Sequence, residues 1–290
     1  MQDASCFLGV DLGGTQLRMA AVDRGGRLLT EVASSPTGRD FGPGDLQSGL
    51  RALTARLLPS LDGRTVSALG FGTAGVVGEG LPLTQSENLP LLNGVDVASL
   101  VREVAACPVR LENDARCFTL AEARYGAGRG AQDVCGITLG TGVGCGVMTG
   151  GRLHRGHNFQ AGEVWRITVR GRNLEHFLSG AGVVRAYEAA GGVASPGLDA
   201  AEVVARGRSG DPAARDAWRA FGQDLVFLCE TIVCLLDPAV IVIGGSLSQA
   251  RDLYGPDLEA RMASHPTTRL ADCELGTAAG VIGAAALNID

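Results

Sequence analysis

Two glycine-rich turns, each lying between apolar segments, constrain most strongly what this chain can fold into. The first is DLGGT at residues 11–15, after an apolar run, and the second is LGTGVGCG at residues 139–146, also after an apolar run. An apolar strand that enters a Gly/Thr turn and leaves it as another apolar run predicts a hairpin. A tip without Cβ atoms lets backbone N–H groups approach a phosphate, and the Thr hydroxyl adds a donor. The two turns predict a nucleotide whose phosphates are held between two lobes.

The length and composition favour two α/β domains with a large apolar core. The chain has 290 residues, of which 46% are hydrophobic and only 4% aromatic. The core must therefore consist mainly of Ala, Val, Leu and Ile, as in sheets that are covered by helices. The 43 glycines follow no collagen-like period, so they indicate many turns.

Charge and cysteine usage exclude several classes of partner. The net charge is −6, and the basic residues are isolated arginines, which argues against a nucleic-acid surface. No apolar run reaches the ~18 residues that cross a bilayer. Residues 1–5 lack the basic start of a signal peptide, so we expect a cytoplasmic protein without membrane contact. None of the eight cysteines forms a CxxC pair, and the four histidines do not pair with them at metal-ligand spacing.

Each half of the chain shows three short strand patterns followed by alternating helices and strands. The strands are expected at 7–10, 17–22, 27–32, 66–72, 109–111, 134–139, 144–148, 152–154, 239–243 and 271–275, and the helices at 45–58, 97–105, 115–125, 174–190, 199–205, 213–236, 248–263 and 277–287. This weak internal repeat predicts two α/β lobes facing one cleft. We expect lobe 1 to span 1–115, joined by the C-terminal helix 277–290, and lobe 2 to span 116–276.

One carboxylate lies where an α/β sheet usually carries its chemistry. The short strand at 109–111 delivers Asn113 and Asp114 at its carboxyl end, immediately before a predicted helix. Asp114 is the candidate general base, and the dipole of the following helix is expected to keep it ionised. The alternative is structural, because Asn-Asp before a helix is also a good N-cap.

Six motifs in order resemble one known family. They are DLGGT at 11, ENDA at 112, LGTGVGCG at 139, AGE at 161, IVIGGSL at 241 and GTAAGVIGAAAL at 276. Together they resemble the ROK family of sugar kinases and repressors across nearly the whole chain. The resemblance implies an α/β, two-lobed actin-like (ribonuclease H-like) fold, ATP and Mg²⁺ as cofactors, and a homodimer. The first turn begins at residue 11 and leaves no room for a repressor's DNA-binding domain, so we expect a kinase.

The resemblance also implies roles for individual residues. The groups expected to bind ATP are Asp11, Gly13, Gly14 and Thr15, with Asp11 near Mg²⁺, then Gly140, Thr141, Gly142 and Gly144, and finally Gly244 and Gly245 facing the adenosine. The residues expected to bind the sugar hydroxyls are Asn88, Asn113, Asp114, Glu163 and Glu175. Taken singly, these polar residues are more often turn or surface residues, and Glu175 is also readily explained as a first-turn helix charge.

The chain departs from the family in one loop. Family kinases commonly carry GEIGH and then CxCGxxGC, whose His and three Cys bind structural zinc. Here Arg166 stands in the position of the His, and residues 167–173 contain no Cys, so we expect no zinc site. The loop must then be ordered otherwise, with Trp165 packing under it and Arg166 pairing with Glu163 or Glu175 as candidates.

The sequence thus predicts an ATP-dependent hexose kinase, with glucose as the leading substrate. Two alternatives stay open. One is a kinase for another aldohexose or for an N-acylated amino sugar. The other is a catalytically silent sugar-binding protein that keeps the fold.

Overall fold

The structure, a computed structural model, describes residues 5–78 and 80–289. The strands are β1 (Ser5–Leu12), β2 (Gln16–Val22), β3 (Ala33–Pro36), β4 (Thr65–Thr73), β5 (Val109–Asn113), β6 (Val134–Leu139), β7 (Val143–Thr149), β8 (Arg152–Leu153), β9 (Thr168–Val169), β10 (Arg172–Asn173), β11 (Val240–Gly244) and β12 (Arg269–Asp272). The helices are α1 (Pro43–Leu57), α2 (Val97–Val104), α3 (Asp114–Tyr125), α4 (Gly180–Ala189), α5 (Ala200–Arg208), α6 (Pro212–Leu236), α7 (Arg251–Met262) and α8 (Ala279–Ala286).

The chain forms two compact units. Unit 1 contains Met1–Gly130, Leu153–Ala161 and Glu274–Asp290, and unit 2 contains Ala131–Arg152 and Gly162–Cys273. This division differs from the one expected at residue 115, because α3 packs against α8 and both lie in unit 1.

Unit 1 is built on a five-stranded sheet in the order β3-β2-β1-β4-β5. The first three strands form an antiparallel meander, and β4 and β5 run parallel to β1. The carboxyl ends of β1, β4 and β5 therefore lie at one edge. The leucines of α1 at positions 46, 50, 53 and 57 recur at helical spacing and are buried in the core of this unit. Helix α1 thus covers the part of the sheet formed by β2 and β3.

Glycines let the last helix lie directly on this sheet. A Cβ at Gly9 of β1 would be 1.8 Å from the carbonyl oxygen of Val281, and one at Gly70 of β4 would be 1.7 Å from that of Ala284. Such distances are far below van der Waals contact, so only glycine permits this approach. The helix itself consists of small apolar residues, which allows the same proximity from its own side.

Unit 2 contains a second five-stranded sheet in the order β12-β11-β6-β7-β8. Here β6, β11 and β12 are parallel, whereas β6 and β7 form an antiparallel hairpin. The 25-residue helix α6 begins at the N-cap Asp211, whose side chain accepts hydrogen bonds from the amides of Ala213 and Ala214. Its buried face carries Trp218 and Phe221, which pack with Tyr254 of α7. All three aromatic residues belong to the buried core of unit 2.

Some predicted elements lie elsewhere. The third strand, expected at 27–32, lies at Ala33–Pro36 instead, because the intervening segment turns and makes only an isolated bridge between Val22 and Leu28. The helix expected at 174–190 is split into a 3₁₀ turn (Leu174–His176) and α4, since Ser179 caps a new helix by accepting a hydrogen bond from the amide of Gly182. Within the described residues, no helix combines the length and apolar character needed to cross a membrane.

Candidate active site

The first glycine turn, between β1 and β2, exposes backbone amides at its tip. The amide of Gly13 donates to the carbonyl of Gln16 (2.9 Å), which closes the hairpin. Across the described part of the chain, the amides of Gly14 and Thr15 have no protein hydrogen-bond acceptor. Asn88 lies against the same tip, because a Cβ on Gly14 would be 2.5 Å from the Asn88 Cβ. The turn therefore offers free donors and brings a predicted sugar residue beside a predicted phosphate turn.

Asp11, the penultimate residue of β1, occupies a confined, partly buried position. A Cβ on Gly280, in the first turn of α8, would be 2.7 Å from the Asp11 Oδ2 atom. Burial raises the pKa of Asp11 to about 6, and the negative charge of Asp114 contributes in the same direction while Arg18 opposes it. Asp11 and Asp114 thus interact electrostatically at the same edge of the unit 1 sheet.

Asn113 is the N-cap of α3, and Asp114 is its first residue. The Asn113 side-chain oxygen accepts from the amide of Arg116 (3.2 Å), while its Nδ2 donates to the carbonyl of Gly75 (3.1 Å). The structural role proposed as the alternative for the Asn-Asp pair therefore belongs to Asn113. Asp114 Oδ1 accepts a local hydrogen bond from the amide of Ala115 (2.8 Å). Because Asn113 takes the capping role, Asp114 is available for another function.

Burial of Asp114 acts against the helix dipole. The sequence predicted that the helix dipole would keep the carboxylate ionised. Burial instead raises the pKa of Asp114, and it outweighs the backbone hydrogen bonds that act in the opposite direction. A raised pKa makes the group a better proton acceptor, which suits a general base.

A buried charge network that the sequence analysis missed supports this corner. Glu112 is 1% exposed, and its carboxylate accepts from Arg116 Nη1 (3.0 Å) and from Arg155 Nε (2.5 Å). Arg116, also fully buried, donates through Nη2 to the carbonyls of Phe159 (2.7 Å) and Ala161 (3.0 Å). The available signal was an Arg four residues after a Glu, across the junction of β5 and α3. The network ties the segment Leu153–Ala161 to the base of α3.

The second glycine turn, between β6 and β7, also exposes backbone amides at its tip. The amide of Gly140 donates to the carbonyl of Gly142 (3.0 Å), and the carbonyl of Gly140 accepts from the amide of Gly180 at the start of α4 (2.9 Å). Within residues 5–78 and 80–289, the amides of Thr141 and Gly142 have no protein acceptor. These two donors are available to a ligand.

Glu175 lies directly under this second turn. Its Oε2 accepts from the amide of Val143 (3.2 Å), and a Cβ on Gly142 would be 2.2 Å from the same oxygen. Glu175 occupies the short 3₁₀ turn Leu174–His176. The structure thus brings this predicted sugar residue to the phosphate turn of unit 2, beside Gly144.

The predicted adenosine residues lie next to the same turn. Gly245 has φ +90°, and a Cβ there would be 2.2 Å from the carbonyl oxygen of Leu139. A Cβ on Gly140 would be 3.4 Å from the Ser246 Oγ atom. Gly244 pairs with Thr138 at the end of β11. Two motifs separated by about a hundred residues therefore form one surface in unit 2.

Glu163 is fixed by its neighbour Trp165. The indole Nε1 donates to Glu163 Oε2 (2.6 Å), and the guanidinium of Arg166 lies 5.9 Å from the Trp165 ring centroid.

Gly162 has φ +85° and approaches β7 so closely that a Cβ would be 2.2 Å from the carbonyl oxygen of Cys145. The short turn Val164–Arg166 also contacts the turn that carries Glu175. Trp165 therefore orders Glu163 by a hydrogen bond as well as by packing.

The predicted site residues fall into two groups. Unit 1 holds Asp11, Gly13, Gly14, Thr15, Asn88, Asn113 and Asp114, and unit 2 holds Gly140, Thr141, Gly142, Gly144, Glu163, Glu175, Gly244 and Gly245. Among the described residues, no cluster of three or more His, Cys, Asp or Glu side chains is arranged to hold a metal ion.

Comparisons with known proteins find matches over nearly the whole chain. The ROK family model matches residues 7–290. N-acetylgalactosamine kinase AgaK of Shewanella sp. (strain ANA-3) is 31% identical, with 97% of this chain and 96% of the relative covered. Glucokinase of Streptomyces coelicolor is 27% identical, with 97% and 96% covered. The ROK family glucokinase from Streptomyces griseus, solved in complex with glucose and AMPPNP, has a TM-score of 0.83 at 26% identity, with 97% and 98% covered.

The matching family model spans nearly every residue, and the relatives named above are kinases that match over almost their whole length. The structural match covers 97% of this chain. The chain therefore has the two-lobed actin-like fold and belongs to the ROK family, among its sugar kinases.

Proposed function

We propose that this chain is a cytoplasmic enzyme that transfers the γ-phosphoryl group of ATP to a hydroxyl of a hexose. The observation that carries the proposal is the placement of Asp114. It is a partly buried carboxylate with a raised pKa, it is relieved of the capping role by Asn113, and it lies close enough to Asp11 for their charges to interact. A sugar hydroxyl is a weak nucleophile, and a carboxylate of this kind can orient it and accept its proton.

The reaction assigned to Asp114 is a proton transfer coupled to phosphoryl transfer. The sugar oxygen forms a bond to the γ-phosphorus while the bond to the β–γ bridging oxygen breaks and ADP leaves. The hydroxyl proton moves to Asp114, for which we assign Oδ2, because Oδ1 already accepts from the amide of Ala115. The buried Glu112–Arg116 pair below it keeps the helix start in place.

Each of the two glycine turns offers donors of the kind that a phosphate accepts from. Among the described residues, the amides of Gly14, Thr15, Thr141 and Gly142 have no protein acceptor and are donors that a phosphate can use. Asp11 supplies a carboxylate of the type that Mg²⁺ prefers, with water and phosphate oxygens as further ligands. Bound Mg²⁺ would offset the charge of the transferred group. Gly244 and Gly245 remain the proposed adenosine surface.

The proposed sugar contacts are polar side chains of the kinds that form hydrogen bonds with hydroxyl groups. Asn88 and Glu163 present polar groups at partly buried positions. The Asn113 amide donates to the carbonyl of Gly75, and Glu175 accepts from the amide of Val143, so the protein holds each of these proposed sugar contacts in place. Several polar contacts are expected because a sugar offers many hydroxyls and little apolar area.

Two substrate classes deserve direct comparison. Glucose is the leading substrate, and the S. griseus enzyme with bound glucose supports it. An N-acylated amino sugar is the second candidate, because the relative at 31% identity is an N-acetylgalactosamine kinase. The test is ADP release from ATP and Mg²⁺ across glucose, mannose, galactose, N-acetylglucosamine, N-acetylmannosamine and N-acetylgalactosamine. Release with one sugar far above the others identifies the substrate. Binding of a sugar without ADP release would instead establish the silent sugar-binding alternative.

We also propose a homodimer, as the family resemblance implied. Apolar side chains exposed on α6 support it: Leu235 is 76% exposed and Phe227 41% exposed. Sedimentation equilibrium measures the mass directly. A mass of one chain at micromolar concentration would contradict the dimer.

A further inference from the structure

The segment between the two proposed sugar carboxylates, Glu163 and Glu175, is a tight hairpin. Strands β9 and β10 pair through Val169 with Arg172 and through Thr168 with Asn173. The amide of Leu174 donates to the carbonyl of Ile167 (2.8 Å) and closes the base. Ile167 and Val169 pack against the unit 2 core. The position of the hairpin therefore affects both carboxylates, one on each side of it in the sequence.

The tip of this hairpin is conformationally demanding. Arg170 has φ +48° and Gly171 has φ +75°, so both central residues of the turn occupy the left-handed region. Glycine adopts this region freely, whereas a residue with a long side chain disfavours it. An arginine held there must be retained by contacts made elsewhere.

Those contacts are made by the guanidinium of Arg170. Its Nη2 donates to both carboxylate oxygens of Asp224 on α6, at 2.7 and 2.8 Å. The guanidinium carbon also lies 4.1 Å from the ring centroid of Phe177, which follows the turn that carries Glu175. Asp224 is only 5% exposed, and a buried carboxylate requires such a partner. Burial raises the pKa of Asp224, and Arg170 opposes this shift. Arg170 therefore connects the hairpin tip to α6 and to the neighbourhood of Glu175.

We propose that Arg170 and Asp224 are positioning residues for the sugar site, acting as an ionic clasp that fixes the hairpin and, through it, Glu163 and Glu175. The proposal rests on the proposed sugar-kinase function. The clasp is linked to Glu175 by the contact of Arg170 with Phe177 and by Leu174, which is fully buried. The clasp is linked to Glu163 by the contact between the Val164–Arg166 turn and the Leu174–His176 turn. Small displacements of binding groups weaken substrate binding strongly, so the clasp governs sugar affinity.

The test compares Arg170→Met with a matched control. Methionine keeps most of the apolar stem but removes the charge and the donors. The control is Arg219→Met, an arginine that is also on the surface, lies on α6 itself and pairs with Asp216 one turn away. We expect Arg170→Met to raise the KM for the sugar roughly ten- to a hundred-fold. The KM for ATP should stay close to that of the wild type. The melting temperature should fall, because Asp224 loses the partner of its buried carboxylate. Arg219→Met should change none of these values.

Two further measurements separate positioning from a general structural role. Arg170→Lys keeps a charge near Asp224 but loses the planar donor group, so we expect an intermediate KM for the sugar. Hydrogen exchange of residues 163–175 should be faster in Arg170→Met and unchanged in Arg219→Met. This readout needs no turnover. If the wild type phosphorylated no hexose, the proposed function would fail while the exchange measurement still tested the clasp.

Clear results would overturn the proposal. An unchanged sugar KM in folded Arg170→Met would do so, as would equal rises in the KM values for sugar and ATP. Unchanged exchange in residues 163–175 would show that the ion pair does not order the hairpin.

Discussion

Asp11 and Asp114 have different environments although both are carboxylates at one sheet edge. Asp11 lies at the end of a central strand, where its space exists only because residue 280 of α8 is glycine. Asp114 lies at the start of α3, where its neighbour Asn113 has taken over the cap. The burial that raises both pKa values also means that each ionised carboxylate destabilises the folded state in the absence of a ligand. Such costs are typical of groups held for function.

Replacing Asp114 tests its role as the base. We expect Asp114→Asn to lower kcat by roughly 10²–10⁴-fold while sugar binding changes much less, because the amide keeps the shape but cannot accept the proton. Steady-state kinetics with the identified sugar, and direct sugar binding without ATP, provide the measurement. The control is Asp216→Asn, an exposed residue on α6. A kcat within a few-fold of the wild type would remove Asp114 from this role.

The raised pKa of Asp11 predicts how stability depends on pH. The folded pKa of about 6 exceeds the value of 3.8 for a free carboxyl, so the native state binds more protons between these values. The contribution of Asp11 to stability is therefore complete at low pH and is lost as the pH rises through 6. We expect Asp11→Asn to be more stable than the wild type at pH 8 by about 1–3 kcal/mol. Below pH 4 the difference should vanish.

Urea unfolding at pH 3.5, 6 and 8 in the presence of EDTA measures this difference directly. Exclusion of Mg²⁺ is needed because a bound cation would stabilise the ionised carboxylate. A stability difference between Asp11→Asn and the wild type that is independent of pH would show that the pKa of Asp11 is not raised.

At the scale of elements, the second glycine turn and the Glu175 turn act as one unit. A methyl group at position 142 would meet the Glu175 carboxylate before it met any ligand. We therefore expect Gly142→Ala to raise the KM for both ATP and the sugar by ten-fold or more, on the order of a lost binding contact, in a folded protein. Circular dichroism and two-substrate kinetics provide the measurement.

Gly38→Ala is the control for this variant, because a Cβ at position 38 meets nothing within 4 Å. Normal ATP kinetics in folded Gly142→Ala would contradict a phosphate-binding role for the turn.

The close approach of α8 to the unit 1 sheet predicts a different outcome for a different glycine. Gly70→Ala would place a methyl carbon 1.7 Å from the Ala284 carbonyl oxygen, and neither backbone can yield without moving the helix. We expect a loss of at least about 3 kcal/mol in the free energy of unfolding. Chemical denaturation beside Gly38→Ala measures it, and a loss below about 1 kcal/mol would mean that α8 shifts freely.

At the scale of the whole molecule, buried polar groups pin the distant parts of the chain that form unit 1. Glu122 is fully buried in α3, and its carboxylate accepts from the amides of Ala127 (2.9 Å), Glu274 (3.1 Å) and Leu275 (2.9 Å). Arg110 donates to the carbonyl of Leu287 (2.6 Å) at the end of α8. The returning C-terminal segment is therefore held at both ends of α8.

The metal content of the whole protein is a separate prediction. The clasp between Arg170 and Asp224, together with the Trp165–Glu163 hydrogen bond, provides an ordering device for the loop in which family kinases carry zinc ligands. We expect purified protein to contain no stoichiometric zinc and to regain full activity when Mg²⁺ is supplied after chelation. Elemental analysis and activity after chelator treatment provide the measurement. Bound zinc whose removal unfolds the protein would contradict the prediction.

The sequence alone determined the features that are local. The two glycine turns, the placement of Asp114 after a short strand and the cap before α3 each depend on a few consecutive residues, and the structure shows these elements where they were expected. Local rules suffice there because turn geometry and helix starts are set by neighbouring φ/ψ preferences and hydrogen bonds.

Only the tertiary structure decided the contacts between distant residues. Arg170 meets Asp224 across 54 positions, and Glu112 meets Arg155 across 43, although nothing in either segment identifies its partner. The third strand was placed wrongly at 27–32 for the same reason, since its location depends on the edge that β2 offers rather than on its own residues. A buried charge takes the partner that packing brings within hydrogen-bond distance, and packing is a property of the whole fold.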